Sequence, residues 1–152
     1  MSTASDTTRI VADLRGIEVV ILTAIGADGQ PRSRPMALQE VDDDGTLWFF
    51  IGHSSHVAQE LKSNPRVAVA AADHRTTKYL ALNGMAREVA DRTRTSALWR
   101  DEFLQWFPLG IADPELALFR VDPAAAEGWL EGTHLHVALG ESKTNGVSAQ
   151  SG

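Results

Sequence analysis

The sequence predicts an α+β domain that is mainly β, built as an antiparallel barrel, and three observations lead there. At least six short segments are dense in β-branched and aromatic residues. Asp-Gly pairs at Asp28-Gly29 and Asp44-Gly45 supply hairpin turn chemistry between them. Helical spacing of apolar residues appears only in brief stretches, as expected of helices packed around a barrel.

Each element follows in chain order. Ile10, Val11 and Leu14 give a short amphipathic helix that Gly16 can stop. Glu18 to Ile25 reads as a strand, and Arg32 to Val41 as its partner, with Arg32, Arg34, Met36 and Leu38 on one face. Thr46 to Ile51 is a third strand, so the three are expected to form a meander. Gly52 to Ser55 breaks the strand, and Val57, Ala58 and Leu61 form a helical stripe ended by Pro65. Val67–Ala72 and Tyr79–Val89 read as strands, Asp91–Phe107 as an aromatic helical segment or helix pair, and Leu116–Val121 as a late strand. The expected domain is residues 9–139, with 1–8 and 140–152 as flexible tails.

The chain has 152 residues and a formal net charge of −6, which suits one globular domain and argues against a nucleic-acid partner. It has no cysteine, so disulfides, thiolate metal sites and a cysteine nucleophile are excluded. No apolar run approaches the ~18 residues of a membrane span, and the N-terminus lacks a signal-peptide layout. A cytoplasmic location is the expectation.

Candidate chemistry is sparse. There is no G-x-S-x-G, no H-E-x-x-H and no Gly-rich phosphate loop. His134 and His136 would share a face if Thr133–Ala138 is a strand, but no clear third ligand accompanies them or the pair His53 and His56, and no metal site is assigned. Ser54 or Ser55 falls at a helix N-cap, where it either caps its own helix or helps hold a phosphate. Pro35 donates no backbone hydrogen bond, which suits a sheet edge or a place where a ligand lies against the sheet, and Arg34 beside it faces either an anion or solvent.

Six segments occur in a fixed order: Gly29-x-Pro31-x-x-Arg34-Pro35-Met36, Asp42 to Phe50, Asn64-Pro65-Arg66-Val67, Asn83-Gly84-x-Ala86, Trp106-Phe107-Pro108 and Phe119-Arg120-Val121-x-Pro123. Over about residues 10–130 this set resembles the pyridoxamine 5'-phosphate oxidase-like split-barrel flavoproteins, in particular the general stress protein 26 branch. The resemblance implies a six-stranded antiparallel split barrel that forms a homodimer and binds FMN in a cleft between protomers. It implies cofactor contacts from Arg34, Pro35 and Met36, from Phe50 and Ile51, and from Ser54, Ser55 and His56. Lys78, Tyr79 and Trp106 complete the implied set, Trp106 at the cleft edge. No catalytic acid or base stands out.

The implied function is an FMN-dependent oxidoreductase taking hydride from a small donor such as NADH or NADPH. A non-catalytic flavin-binding or storage protein is the alternative, as is a split barrel using FAD, deazaflavin F420 or haem. Two departures from the family pattern matter. His56-Val57 replaces the basic stretch expected to clamp the phosphate, leaving Arg34, protonated His56, Lys78 or Arg75 to compensate. Gln39 stands where the vitamin oxidase presents a lysine to its substrate, so oxidation of pyridoxamine phosphate itself is not expected.

Overall fold

The computed structural model describes residues 3–139. Its backbone is one eight-stranded antiparallel sheet with three α-helices: α1 (Thr3–Leu14), β1 (Val19–Ile25), β2 (Pro31–Ala37), β3 (Glu40–Val41), β4 (Leu47–Gly52), α2 (His56–Ser63), β5 (Arg66–Asp73), β6 (Lys78–Val89), α3 (Arg92–Leu98), β7 (Leu116–Leu130) and β8 (Thr133–Ala138). Two 3₁₀ turns, Asp101–Gln105 and Gly110–Ala112, lie between α3 and β7. Strand count exceeds the expected six because β3 is a separate two-residue strand and β8 follows β7.

The N-terminal expectation needs correction. The segment read as a tail over 1–8 is helical from Thr3 onward, so α1 is longer than its apolar stripe. Ile10, Val11 and Leu14 still provide its buried face. Polar residues ahead of that face are ordinary first turns of an amphipathic helix, which is why composition misread them. The tail expected over 140–152 lies outside the described residues.

Strand order is β2-β1-β5-β6-β7-β4-β3, with β8 pairing β7. The expected three-strand meander is therefore replaced by two hairpins at opposite ends of the sheet. β1 pairs β2 with Ile21 opposite Pro35, while β4 pairs β7 with Phe49 opposite Phe119. The chain changes sides within one peptide: Leu38 N–H donates to Glu18 O (2.9 Å), and Gln39 N–H donates to Trp48 O (2.9 Å). Among the described residues no ladder joins β2 to β4. The barrel is split there.

The physical reason lies in β2. Leu38 and Glu18 form a hydrogen-bonded pair, so by antiparallel alternation Met36, Arg34 and Arg32 direct their backbone groups toward β1. Ala37, Ser33 and the two prolines, Pro35 and Pro31, direct theirs outward. A strand whose outward edge carries two residues without N–H is a poor partner for another strand.

Inside, Val20, Leu22, Ala24, Leu47, Phe49, Val69, Phe119 and Leu130 form one core with the helix residues Ile10, Leu14, Ala58 and Leu61. The motif Asn83-Gly84 acquires a reason here. β6 shifts register against β7 between these residues, and a Cβ at Gly84 would lie 2.2 Å from Asp122 O. Only glycine lets the two backbones approach so closely.

The outer face of the sheet is apolar where solvent would favour polar residues. Ala68, Ala70 and Ala72 on β5 are exposed although β5 is flanked on both sides by strands. Val19 (54%), Ile21 (44%), Met85 (46%) and Trp129 (42%) are exposed on neighbouring strands.

Candidate functional site

One cavity of about 500 Å³ lies beside the split. Its first wall is the outward edge of β2 and the switch beyond it: Pro35, Met36, Ala37 and Gln39. The end of β4 and the start of α2 supply Phe50, Ile51, Gly52, Ser55 and Val57. Phe103, Trp106 and Phe107 line it from the first 3₁₀ turn and the loop after it, and Glu115 from the residue before β7.

Local packing fixes the aromatic wall. Phe103 is buried in the first 3₁₀ turn and meets Phe50 edge-on at 5.7 Å and Trp99 at 5.6 Å. Asp113, itself only 8% exposed, holds the following loop by accepting Leu109 N–H (3.1 Å) and Glu115 N–H (2.9 Å). Gly110, at φ 74°, makes the turn that brings the loop back toward β7. Trp106 stands at the rim, 64% exposed.

The strand-to-helix junction is a hydrogen-bonded unit. Ser55 Oγ accepts Ala58 N–H (3.2 Å) and donates to Gly52 O (2.7 Å), so Ser55 is the N-cap of α2. With Ala58 capped in this way, the N–H groups of His56 and Val57 are the remaining first-turn donors. Ser54 turns the other way: its N–H (3.0 Å) and its Oγ–H (2.7 Å) both donate to Glu115 Oε1. These two bonds hold the Glu115 carboxyl below its usual range.

The expected site residues divide into two groups. Pro35, Met36, Phe50, Ile51, Ser55 and Trp106 share the cavity. The basic side chains do not reach it. Arg34 Nη1 pairs with Glu60 Oε1 on α2 at 2.9 Å, both side chains largely covered. Lys78 Nζ pairs with Asp13 on α1 at 3.1 Å, and Tyr79 Oη meets His74 Nδ1 at 2.9 Å. Ser54 adjoins the cavity through Glu115, while His56 and Arg75 are exposed. His134 and His136 do lie on one face of β8, where His134 stacks on Trp129 and pairs with Glu127 at 2.9 Å. Among the described residues no three His, Cys, Asp or Glu side chains gather as a metal site.

Val57 belongs to the helix start that the resemblance implied, whereas sequence reasoning did not assign Phe103, Phe107 and Glu115 to the site. Phe103 and Phe107 carried a signal, since they belong to the aromatic run after Asp91. Glu115 carried none, because it meets Ser54 across 61 positions of sequence.

Comparison with known proteins completes the picture. A pyridoxine/pyridoxamine 5'-phosphate oxidase of Chromobacterium violaceum is 39% identical over 69 residues, 45% of this chain and 32% of that protein. The match thus spans about a third of that relative's length. The crystal structure of general stress protein 26 from Bacillus anthracis superposes with a TM-score of 0.73 at 21% identity, covering 90% of this chain and 100% of that one. A general stress FMN/FAD binding protein from Xanthomonas citri is 28% identical, with TM-score 0.66 over 88% of this chain and 91% of its own. The split barrel is the fold these structures share. Among the described residues no helix is long and apolar enough to cross a membrane. The family model described as "Pyridoxamine 5'-phosphate oxidase like" matches residues 5–148, so the chain belongs to the pyridoxamine 5'-phosphate oxidase-like family.

Proposed function

We propose that this chain binds FMN in the cavity beside the split and works as an oxidoreductase within a homodimer. The observation that carries the reading is an aromatic-walled slot of about 500 Å³ laid along a strand edge that, among the described residues, no other strand pairs. A flat heterocycle needs apolar faces and an edge of hydrogen-bonding partners. Phe50, Phe103, Trp106 and Phe107 supply the first, while Ala37 N–H and Pro35 C=O on the outward edge of β2 supply the second. The Gln39 carboxamide adds a donor and an acceptor at the same wall. The described lining is mostly apolar and aromatic, which suits a flavin ring. The Xanthomonas citri relative, named as binding FMN or FAD, supports the same choice.

When bound, the flavin supplies the redox chemistry: hydride accepted from a donor such as NADH or NADPH, and electrons passed onward. The chain's part is to bind, orient and shield. Phe103 and Phe107 exclude water from one side of the slot, and Trp106 guards its rim. Ser55 and the first-turn N–H groups of α2 would hold the phosphate end. Oxidation of pyridoxamine phosphate is not part of the proposal, because Gln39 carries no charge with which to hold that substrate's phosphate.

The dimer reading rests on the outer face. Val19, Ile21, the β5 alanines and Trp129 form an apolar surface that a second copy would cover. Tyr79, opposite Trp129 in register, lies on that surface, so a partner's cavity is the place where its expected flavin contact would be made.

The test is a titration of purified protein with FMN, FAD, deazaflavin F420 and haemin, read by fluorescence quenching and absorbance, beside light scattering. Equimolar FMN bound at micromolar or tighter affinity to a dimer is the expected result. Unquenched FMN, or a monomer at micromolar concentration, overturns the proposal. Reduction of bound flavin by NADH or NADPH then separates an enzyme from a storage protein.

A further inference from the structure

The cavity has an unusual charge inventory for a slot proposed to take a phosphorylated ligand. Among the described residues no lysine, arginine or histidine lines it, and the one ionisable residue that does is Glu115. Of the basic residues beside lining residues in sequence, Arg34 is paired with Glu60, His53 lies 3.4 Å from Glu88, and His56 is exposed outside the lining. Glu115 is also firmly placed. It accepts both the N–H and the Oγ–H of Ser54, and its own N–H is held by the buried Asp113. The two Ser54 donors at this end of the cavity are therefore taken by a carboxylate from the chain itself, which leaves an incoming anion only the first-turn N–H groups of α2 beside that charge.

We infer that Glu115 is the residue that sets selectivity against anionic groups in this cavity, so that the phosphate contributes little to flavin recognition and unphosphorylated flavin competes with FMN. The inference rests on the flavin reading above and concerns one end of the same slot. Its cause is electrostatic: a carboxylate beside a phosphate dianion opposes binding unless a cation intervenes. The isoalloxazine end, lined by Phe50, Phe103 and Trp106, treats both ligands alike.

The experiment compares FMN with riboflavin by fluorescence titration, in the wild type and in Glu115→Gln. The variant keeps an acceptor for Ser54 while removing the charge. Asp43→Asn, in the turn between β3 and β4, makes the same change in net charge at a side chain that is 96% exposed and outside the cavity lining. Near-equal affinities are expected in the wild type, and Glu115→Gln should shift preference toward FMN by about tenfold, with riboflavin affinity unchanged. Should that variant fold poorly, the double variant Ser54→Ala/Glu115→Ala removes the charge and the hydroxyl donor together, with the same expectation. Strong wild-type preference for FMN, an unmoved ratio in the Glu115 variants, or an equal shift in Asp43→Asn overturns the inference while leaving flavin binding intact. Absence of binding by both compounds overturns the flavin reading, and this inference with it.

Discussion

The two ends of the sheet are edges of opposite character. At the β4–β3 end, Trp48 is 3% exposed beneath two guanidinium groups, Arg94 at 4.1 Å and Arg120 at 5.2 Å from its ring. Its Nε1–H donates to Asp42 at 2.9 Å, and Arg94 bonds Glu40 and Asp42, tying α3 across the edge. Trp48, Arg94, Arg120, Glu40 and Asp42 at that end all have partners within the chain. At the β2 end, the prolines leave the edge unpaired and the neighbouring space is an apolar cavity. One edge is closed by side chains for stability. The other is kept open, and an open edge next to an apolar cavity is where a ligand can meet backbone groups.

The largest effect should come from the closed end. Trp48→Ala removes a buried aromatic and both cation–π contacts, and is expected to cost about 3–5 kcal/mol of stability in urea denaturation. Below the unfolding transition its flavin affinity should stay near the wild-type value. A selective loss of flavin binding in a stably folded variant would break the division between the two ends.

Trp106→Ala should show the reverse behaviour. With 64% of the residue exposed, its stability should change by no more than about 0.5 kcal/mol. Flavin affinity, measured by fluorescence quenching, should fall by about tenfold, as expected when an aromatic contact at the rim is lost. A stability loss as large as that of Trp48→Ala would place Trp106 in the scaffold instead.

A smaller effect concerns acid. Two hydrogen bonds from Ser54 lower the Glu115 carboxyl below its ordinary value of 4.5, so the folded state favours its charged form. That contribution is present in full above the ordinary value and is lost as pH falls through the lowered one. Thermal melts taken from neutral pH to below 4.5 should therefore show a shallower acid-side decline in Glu115→Gln than in the wild type. Coincident profiles would show that the Ser54–Glu115 contact contributes nothing to the fold.

Much of the local structure was legible in the residues. Strand β1, the Asp28-Gly29 hairpin, strand β4, and helix α2 with its serine cap all lie within a residue or two of where periodicity and turn chemistry put them. These features depend on neighbours in sequence, so a local reading reaches them. β7 was read as six residues and is fifteen, because Pro123 and the small residues after it break the local strand pattern while pairing with β6 and β8 supports it. The late extension is a tertiary effect.

The sequence by itself determined an acidic, cysteine-free β-rich domain and a family resemblance that the family model bears out. It also determined the prolines that keep one edge free of partners. Only the tertiary structure decided that β2 and β4 stand at opposite ends of the sheet, with the barrel split between residues 38 and 39. It alone decided that Arg34 and Lys78 are spent on Glu60 and Asp13, while Glu115 meets Ser54. Side-chain pairing across 26, 65 and 61 positions is set by how the sheet curls, which no local pattern encodes.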